Sequence, residues 1–129
     1  MRINFDSLRP VYIQIADAIE DDIISGSLAE GSAAYSQLIL SKELSVNPAT
    51  AAKGINVLVS KGILVKQRGS SMVVAYGALD RLLSERRETG VNELVSSLVL
   101  EAIKISISEA EVIDKIKKYF KSLEGKQNE

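Results

Sequence analysis

Cysteine and histidine are both absent from this chain. Their absence removes thiol nucleophiles, disulfides, imidazole general bases and most transition-metal sites together. Catalysis would then need converging carboxylates or a lysine site, and the acidic residues form no such motif, so the expectation is a protein that is not an enzyme and has no metal or cofactor. Aromatic residues are scarce, at 5%, against 46% apolar residues overall, so a core has to be built from Ile, Leu, Val and Ala, which suits helix packing. Long apolar runs are missing as well. None approaches a membrane span, and the opening MRINFDSLRP lacks the apolar region of a signal peptide. The expected setting is the cytoplasm. There is no internal repeat, low-complexity segment or long linker.

Charge is nearly balanced, at a net −1, but unevenly spread. Residues 1–31 hold two basic and six acidic side chains, whereas residues 32–77 hold five basic ones (Lys42, Lys53, Lys61, Lys66 and Arg68) and one acidic, Glu43. The middle third is therefore locally positive within an almost neutral chain.

Pro10 suits the first turn of a helix, where no amide hydrogen is required. Tyr12, Ile15, Ala16, Ile19 and Ile23 then recur at helical spacing, with Glu20, Asp21 and Asp22 off that stripe, and Gly26 and Gly31 close the helix and the turn after it. A shorter helix is expected from Ser36, carrying Ile39, Leu40 and Leu44 inward. The stretch LSVNPATAAKGINVLVSKGIL (44–64) places a proline and a glycine inside what otherwise looks like one continuous helix. Asn47-Pro48 resolves the first anomaly as a capping pair that starts a new helix, since Asn can accept from free amides and Pro can take the first helical position. Gly54 is the second. A mid-helix glycine costs about 1 kcal/mol against alanine, a cost offset where another backbone approaches closely. Ala51, Ile55, Leu58 and Val59 form the inner stripe, and Gly62 ends the helix. The β-rich runs 63–67 and 72–76, separated by RGSS, read as a hairpin. Helices carrying Leu79, Leu82 and Leu83, then Leu94, Val95, Leu98, Ala102 and Ile105, and finally Val112, Ile113, Ile116, Tyr119, Phe120 and Leu123 complete the chain. Ser108–Glu111 reads as a capping box for the last of them.

The resulting fold class is mostly α with a small β-hairpin (α+β): a winged helix-turn-helix over residues 1–77, followed by a helical tail over 78–129. In these residues the chain resembles the DNA-binding domain of the GntR family of bacterial transcriptional regulators, and in its short form the YtrA subfamily. The matching stretch runs from Pro10 to about Val74. It includes RPVYIQIADAIEDDIISGSLAEG, the V-N-P-x-T element of the turn, and RGSSMVV where a wing sits. Three departures stand out: Leu38 where the family has arginine, Lys53 where the subfamily often has arginine, and Ser71 in place of the second wing glycine.

The resemblance implies a homodimeric repressor that binds double-stranded operator DNA of near-palindromic sequence through the recognition helix (48–61) and wing (68–71). The contact set it implies is Ser36, Asn47, Ala49, Thr50, Lys53, Arg68, Gly69 and Ser70. For Asn47, helix capping alone is an equally good account. Ala49 and Ala52 can offer only apolar contact, and Lys42, Lys61 and Lys66 a general electrostatic contribution. The apolar stripes of the tail are most economically covered by a second copy of the chain. A small-molecule effector is left open, since the tail looks too short for a separate ligand-binding domain and no residue signature marks a site. The competing expectation is a winged-helix protein-interaction module that no longer binds DNA, motivated by Leu38 and the Ala49/Ala52 face.

Overall fold

The computed structural model describes residues 1–67 and 72–127. Helix α1 (Val11–Ser25) starts at Pro10, whose carbonyl accepts from the Ile13 and Gln14 amides, both at 3.1 Å. Gln14 also ties down the segment before the helix. Its side-chain amide donates to the carbonyls of Asn4 and Arg9 and accepts from the Asn4 amide. Ile15, Ala16, Ile19 and Ile23 form the buried stripe of α1, and Gly26, at φ +88°, ends it.

Helix α2 (Gln37–Leu44) is capped by Ser36, whose hydroxyl oxygen accepts from the Ile39 amide at 3.1 Å. Leu40 is its buried residue, with Leu44 half-buried against the core. Ile39, expected to point inward, is 49% exposed. A helix this short offers one inward line, and the i, i+4 pair Leu40/Leu44 occupies it, leaving Ile39 about 100° away.

Helix α3 (Pro48–Ser60) begins as the capping pair requires: Asn47 Oδ1 accepts from the Ala49 amide at 2.8 Å, and Pro48 sits in the first turn. Ala51, Gly54, Ile55 and Leu58 face inward. A Cβ on Gly54 would lie 2.9 Å from Ile15 Cγ2 and 2.9 Å from the Tyr12 carbonyl oxygen. The glycine thus sits at a close approach of α1 and α3 that leaves no room for a Cβ.

Strands β1 (Leu64–Lys66) and β2 (Met72–Val74) pair antiparallel in the register Leu64↔Val74, Val65↔Val73, Lys66↔Met72. The far edge of β2 is not open. The Gly31 and Ala34 amides donate to the carbonyls of Val74 and Met72, each at 2.8 Å, and the Val74 amide donates to Ser32 at 3.0 Å. The loop after α1 therefore serves as a third strand, which the sequence pattern did not announce.

Helix α4 (Ala78–Glu85) packs on this unit, with Ala78 and Leu82 buried. Glu30 caps it from a distance: its carboxylate accepts from the Gly77 amide at 3.0 Å and the Leu79 amide at 2.9 Å. The Arg81 guanidinium donates to the carbonyls of Lys61 and Gly62 at the end of α3. The first compact unit accordingly runs Met1–Glu85, past the expected boundary at residue 77, because the first turns of the tail belong to the core of the winged helix.

The second unit, Arg86–Glu129, opens with a π-helical turn, Arg86–Gly90, followed by α5 (Val91–Lys104) and α6 (Glu109–Gln127). Ser106, at φ +60°, turns the chain between them, and Ser108 Oγ accepts from the Glu111 amide at 3.2 Å to cap α6. Ala102 is the one buried apolar residue among the described residues of this unit. No helix among the described residues is long and apolar enough to cross a membrane.

Candidate nucleic-acid interface

The first two turns of α3 present the expected recognition residues. Ala49 and Lys53 are exposed and Thr50 is half-buried. Lys53 does not hang free: its Nζ lies 4.1 Å from the centroid of the Tyr12 ring on α1, a cation–π contact that narrows its range of positions. The tyrosine of the opening motif thereby acts on the recognition helix.

Asn47 both caps and remains available. Capping uses Oδ1, and the Nδ2 hydrogens are still able to donate outward beside the positive end of the helix dipole. Ser36 behaves alike at the start of α2. Its oxygen accepts from the helix, and its hydroxyl hydrogen can still donate. Arg68, Gly69 and Ser70 lie outside the described residues, so the structure tests no wing contact.

Two expectations about charge change. Glu20 sits off the apolar stripe in sequence yet is only 5% exposed, and Lys61 Nζ bonds it at 2.8 Å and Glu85 at 3.0 Å. Burial works against the Lys61 ammonium, but its bonds to the two carboxylates outweigh that and raise its pKa. Lys61 is therefore a tie between α1, α3 and α4 rather than a cation offered to a polyanion. Tyr35 is likewise committed inward. Its hydroxyl donates to Asp22 at 2.6 Å, and that bond, with partial burial, pushes its pKa up to about 12.

A cleft of about 420 Å³ opens beside the recognition helix, bounded by Ser36 and Gln37 at the start of α2, Ala52 and Asn56 on α3, and Lys66 and Met72 of the hairpin. Of these, sequence reasoning singled out Ser36 as a contact and passed over Gln37 and Asn56. Helical spacing could have found Asn56, because it follows Ala49 and Ala52 on one face at i+7 and i+4. No group of residues suited to holding a metal ion occurs among the described residues.

No family model matches the chain. The uncharacterized HTH-type transcriptional regulator YdeF of Bacillus subtilis (strain 168) is 33% identical over 88 residues, covering 67% of this chain, while the chain spans 19% of YdeF's length. Among solved structures, a GntR family transcriptional regulator from Listeria monocytogenes is 25% identical with a TM-score of 0.73, over 88% of this chain and 98% of that one. YtrA from Sulfolobus acidocaldarius, a GntR-family transcription factor, is 28% identical with a TM-score of 0.55, over 96% of this chain and 99% of its own. These relatives are transcription regulators. The fold of the chain is the winged helix of the GntR type with C-terminal helices, as the element order led one to expect.

Proposed function

We propose that this chain, a transcriptional regulator of the GntR type by its likeness to those proteins, is a homodimeric repressor of the short YtrA form acting on a near-palindromic operator. The observation that carries the DNA reading is the outward edge of α3, where the Asn47 cap, Ala49, Thr50 and the Tyr12-braced Lys53 stand clear of the core. In a helix-turn-helix those first turns meet base edges and phosphates. Ser36 joins them from α2, and Arg68, Gly69 and Ser70 complete the proposed contact set at the hairpin tip. On this reading the protein acts in the cytoplasm of a bacterial cell.

The homodimer is supported by the second unit. Leu94, Ile103, Tyr119 and Phe120 are each about two-thirds exposed (71%, 68%, 67% and 66%), and a groove of about 450 Å³ between α5 and α6 is lined by Leu98, Ala102, Ile105, Ile116, Tyr119 and Phe120. Apolar area on this scale marks an association surface. A two-fold pair would bury the same face on both copies and set two recognition helices against two half-sites.

The test is a gel shift with the DNA upstream of the protein's own gene. The expected result is a competitor-resistant complex that weakens with salt, with a salt slope reduced by about one in Lys53→Ala. No such complex, with Lys53→Ala and Arg68→Ala indistinguishable from wild type, would overturn the reading. One observation favours a second function, a winged-helix protein-interaction module: Leu38 and Ile39 stand 67% and 49% exposed side by side on α2. No DNA binding by the wild-type chain, together with partner capture that Leu38→Ser abolishes, would support that version, a module that no longer binds DNA.

A further inference from the structure

Resting on the DNA reading above, we propose that Gln37 and Asn56 are base-reading residues that select adenine in the major groove of each half-site. The first two turns of α3 present alanine at positions 49 and 52, which contribute methyl contacts but no hydrogen bonds. A selective operator contact then has to draw its polar readout from side chains flanking those alanines. The cleft beside α3 supplies them: Gln37 projects from the first residue of α2 and Asn56 from the third turn of α3, and both line the same concave surface, with Ala52 between the capped start of α2 and the hairpin.

Their place in the cleft, joined to an uncommitted carboxamide, separates these two from the other amides of the unit. Asn4 Oδ1 accepts from the Asp6 amide, Gln14 makes three bonds to the N-terminal segment, and Asn47 caps α3. Asn4 and Gln14 are thus held by the fold, Asn47 keeps only its Nδ2 hydrogens to donate, and Gln67, exposed just past the end of the first strand, does not line the cleft. Gln37 and Asn56 are exposed and make no side-chain hydrogen bond among the described residues. A carboxamide offers one acceptor and a donor pair on one planar group, which matches the N6 donor and N7 acceptor of adenine and no other base edge as well. Lys66, exposed on β1 at the rim of the same cleft, supplies a cation for the phosphate that accompanies such a base. The short side chains at 49 and 52 then have a purpose: they let the duplex approach α3 closely enough for amides on either side to reach base edges.

The experiment is enrichment of random duplexes on the full chain, followed by affinity measurement of the enriched sites with each position varied. The expected result is an adenine preference at fixed positions of each half-site. Asn56→Ala or Gln37→Ala should remove that preference at one position by about tenfold or more, with affinity for the other bases there nearly unchanged. Near-wild-type melting temperatures of both variants, expected of exposed sites, keep the readout free of folding effects. Preferences that survive both substitutions, or a loss of affinity that is uniform over all sequences, would overturn the assignment and leave at most a backbone contact. Failure of the wild-type chain to enrich any duplex overturns the DNA reading itself, and this inference with it. The outcomes thus distinguish the two failures.

Discussion

Residues Met1–Glu85 enclose their apolar side chains, whereas residues Arg86–Glu129 display theirs. In the first unit Ile15, Ile19, Leu40, Leu58, Leu64 and Leu82 are at most 1% exposed, while α5 and α6 leave Leu94, Ile103, Tyr119 and Phe120 near two-thirds exposed. The two regions draw on much the same aliphatic residues, so composition does not explain the contrast. The number of covering elements does. The winged helix surrounds its core with four helices and a three-edged sheet, and a layered core needs such enclosure. Two helices joined by a short turn can shield only the line where they meet, and Ala102 lies on that line. The first unit therefore has what it needs to fold by itself, and the second, under the proposed dimer, completes its core with another copy.

The largest effect that could break this contrast comes from the exposed face. Leu98→Asp together with Phe120→Asp should convert the protein to a monomer in analytical ultracentrifugation and lower operator affinity about 100-fold or more by removing the second half-site. Persistence of the dimer would mean that α5 and α6 are not its interface. A paired truncation comes next. Leu58→Ala should cost about 2–5 kcal/mol in urea denaturation, and Leu94→Ala about 0.5 kcal/mol or less when the monomer is measured. Equal costs would erase the distinction between an enclosed and an open unit.

Gly54→Ala probes a tight backbone contact between two helices of the enclosed unit. The new methyl would gain about 1 kcal/mol of helix propensity but meet the Tyr12 carbonyl and Ile15, an overpacking cost of about 1–3 kcal/mol. A lower denaturation midpoint is expected, and a higher one would show that α1 can retreat from α3. The smallest effect concerns Glu30. The Gly77 and Leu79 amides hold its pKa below the ordinary 4.5. A depressed carboxylate stabilises fully above its unfolded value and loses that contribution as pH falls through the folded one. Glu30→Gln should accordingly melt earlier than wild type near neutral pH, with the gap closing in acid; a gap independent of pH would assign the effect to shape rather than charge.

Local chemistry made much of the first unit legible. Asn47-Pro48 announced the start of α3, Gly54 announced a close crossing, and the β-rich runs around RGSS announced the hairpin, because each depends on residues near one another in sequence. The features that escaped notice all join distant segments. Glu20 looked like a solvated charge until Lys61 and Glu85 arrived beside it, and Glu30 caps a helix that begins far along the chain. Ile39 satisfied the apolar pattern but lost the single inward line of α2 to Leu40. On the candidate site, Asn47, Ala49, Thr50 and Lys53 were legible from their place at the start of α3. Gln37 and Asn56 were not, since neither carries a motif and only packing brings both to one cleft.

By itself the sequence determined the order of elements, the cap and start of the recognition helix, and the lack of thiol and imidazole chemistry, all of which follow from residue identity and short-range spacing. Tertiary structure alone decided that α4 belongs to the winged helix, that Lys61 is spent on an internal ion-pair cluster, that Tyr12 braces Lys53, and that two amides face one cleft beside α3. The division has a physical cause. Backbone preferences act over a few residues, whereas the partner of a buried charge or the neighbour of an exposed amide is set by which distant segments the core draws together.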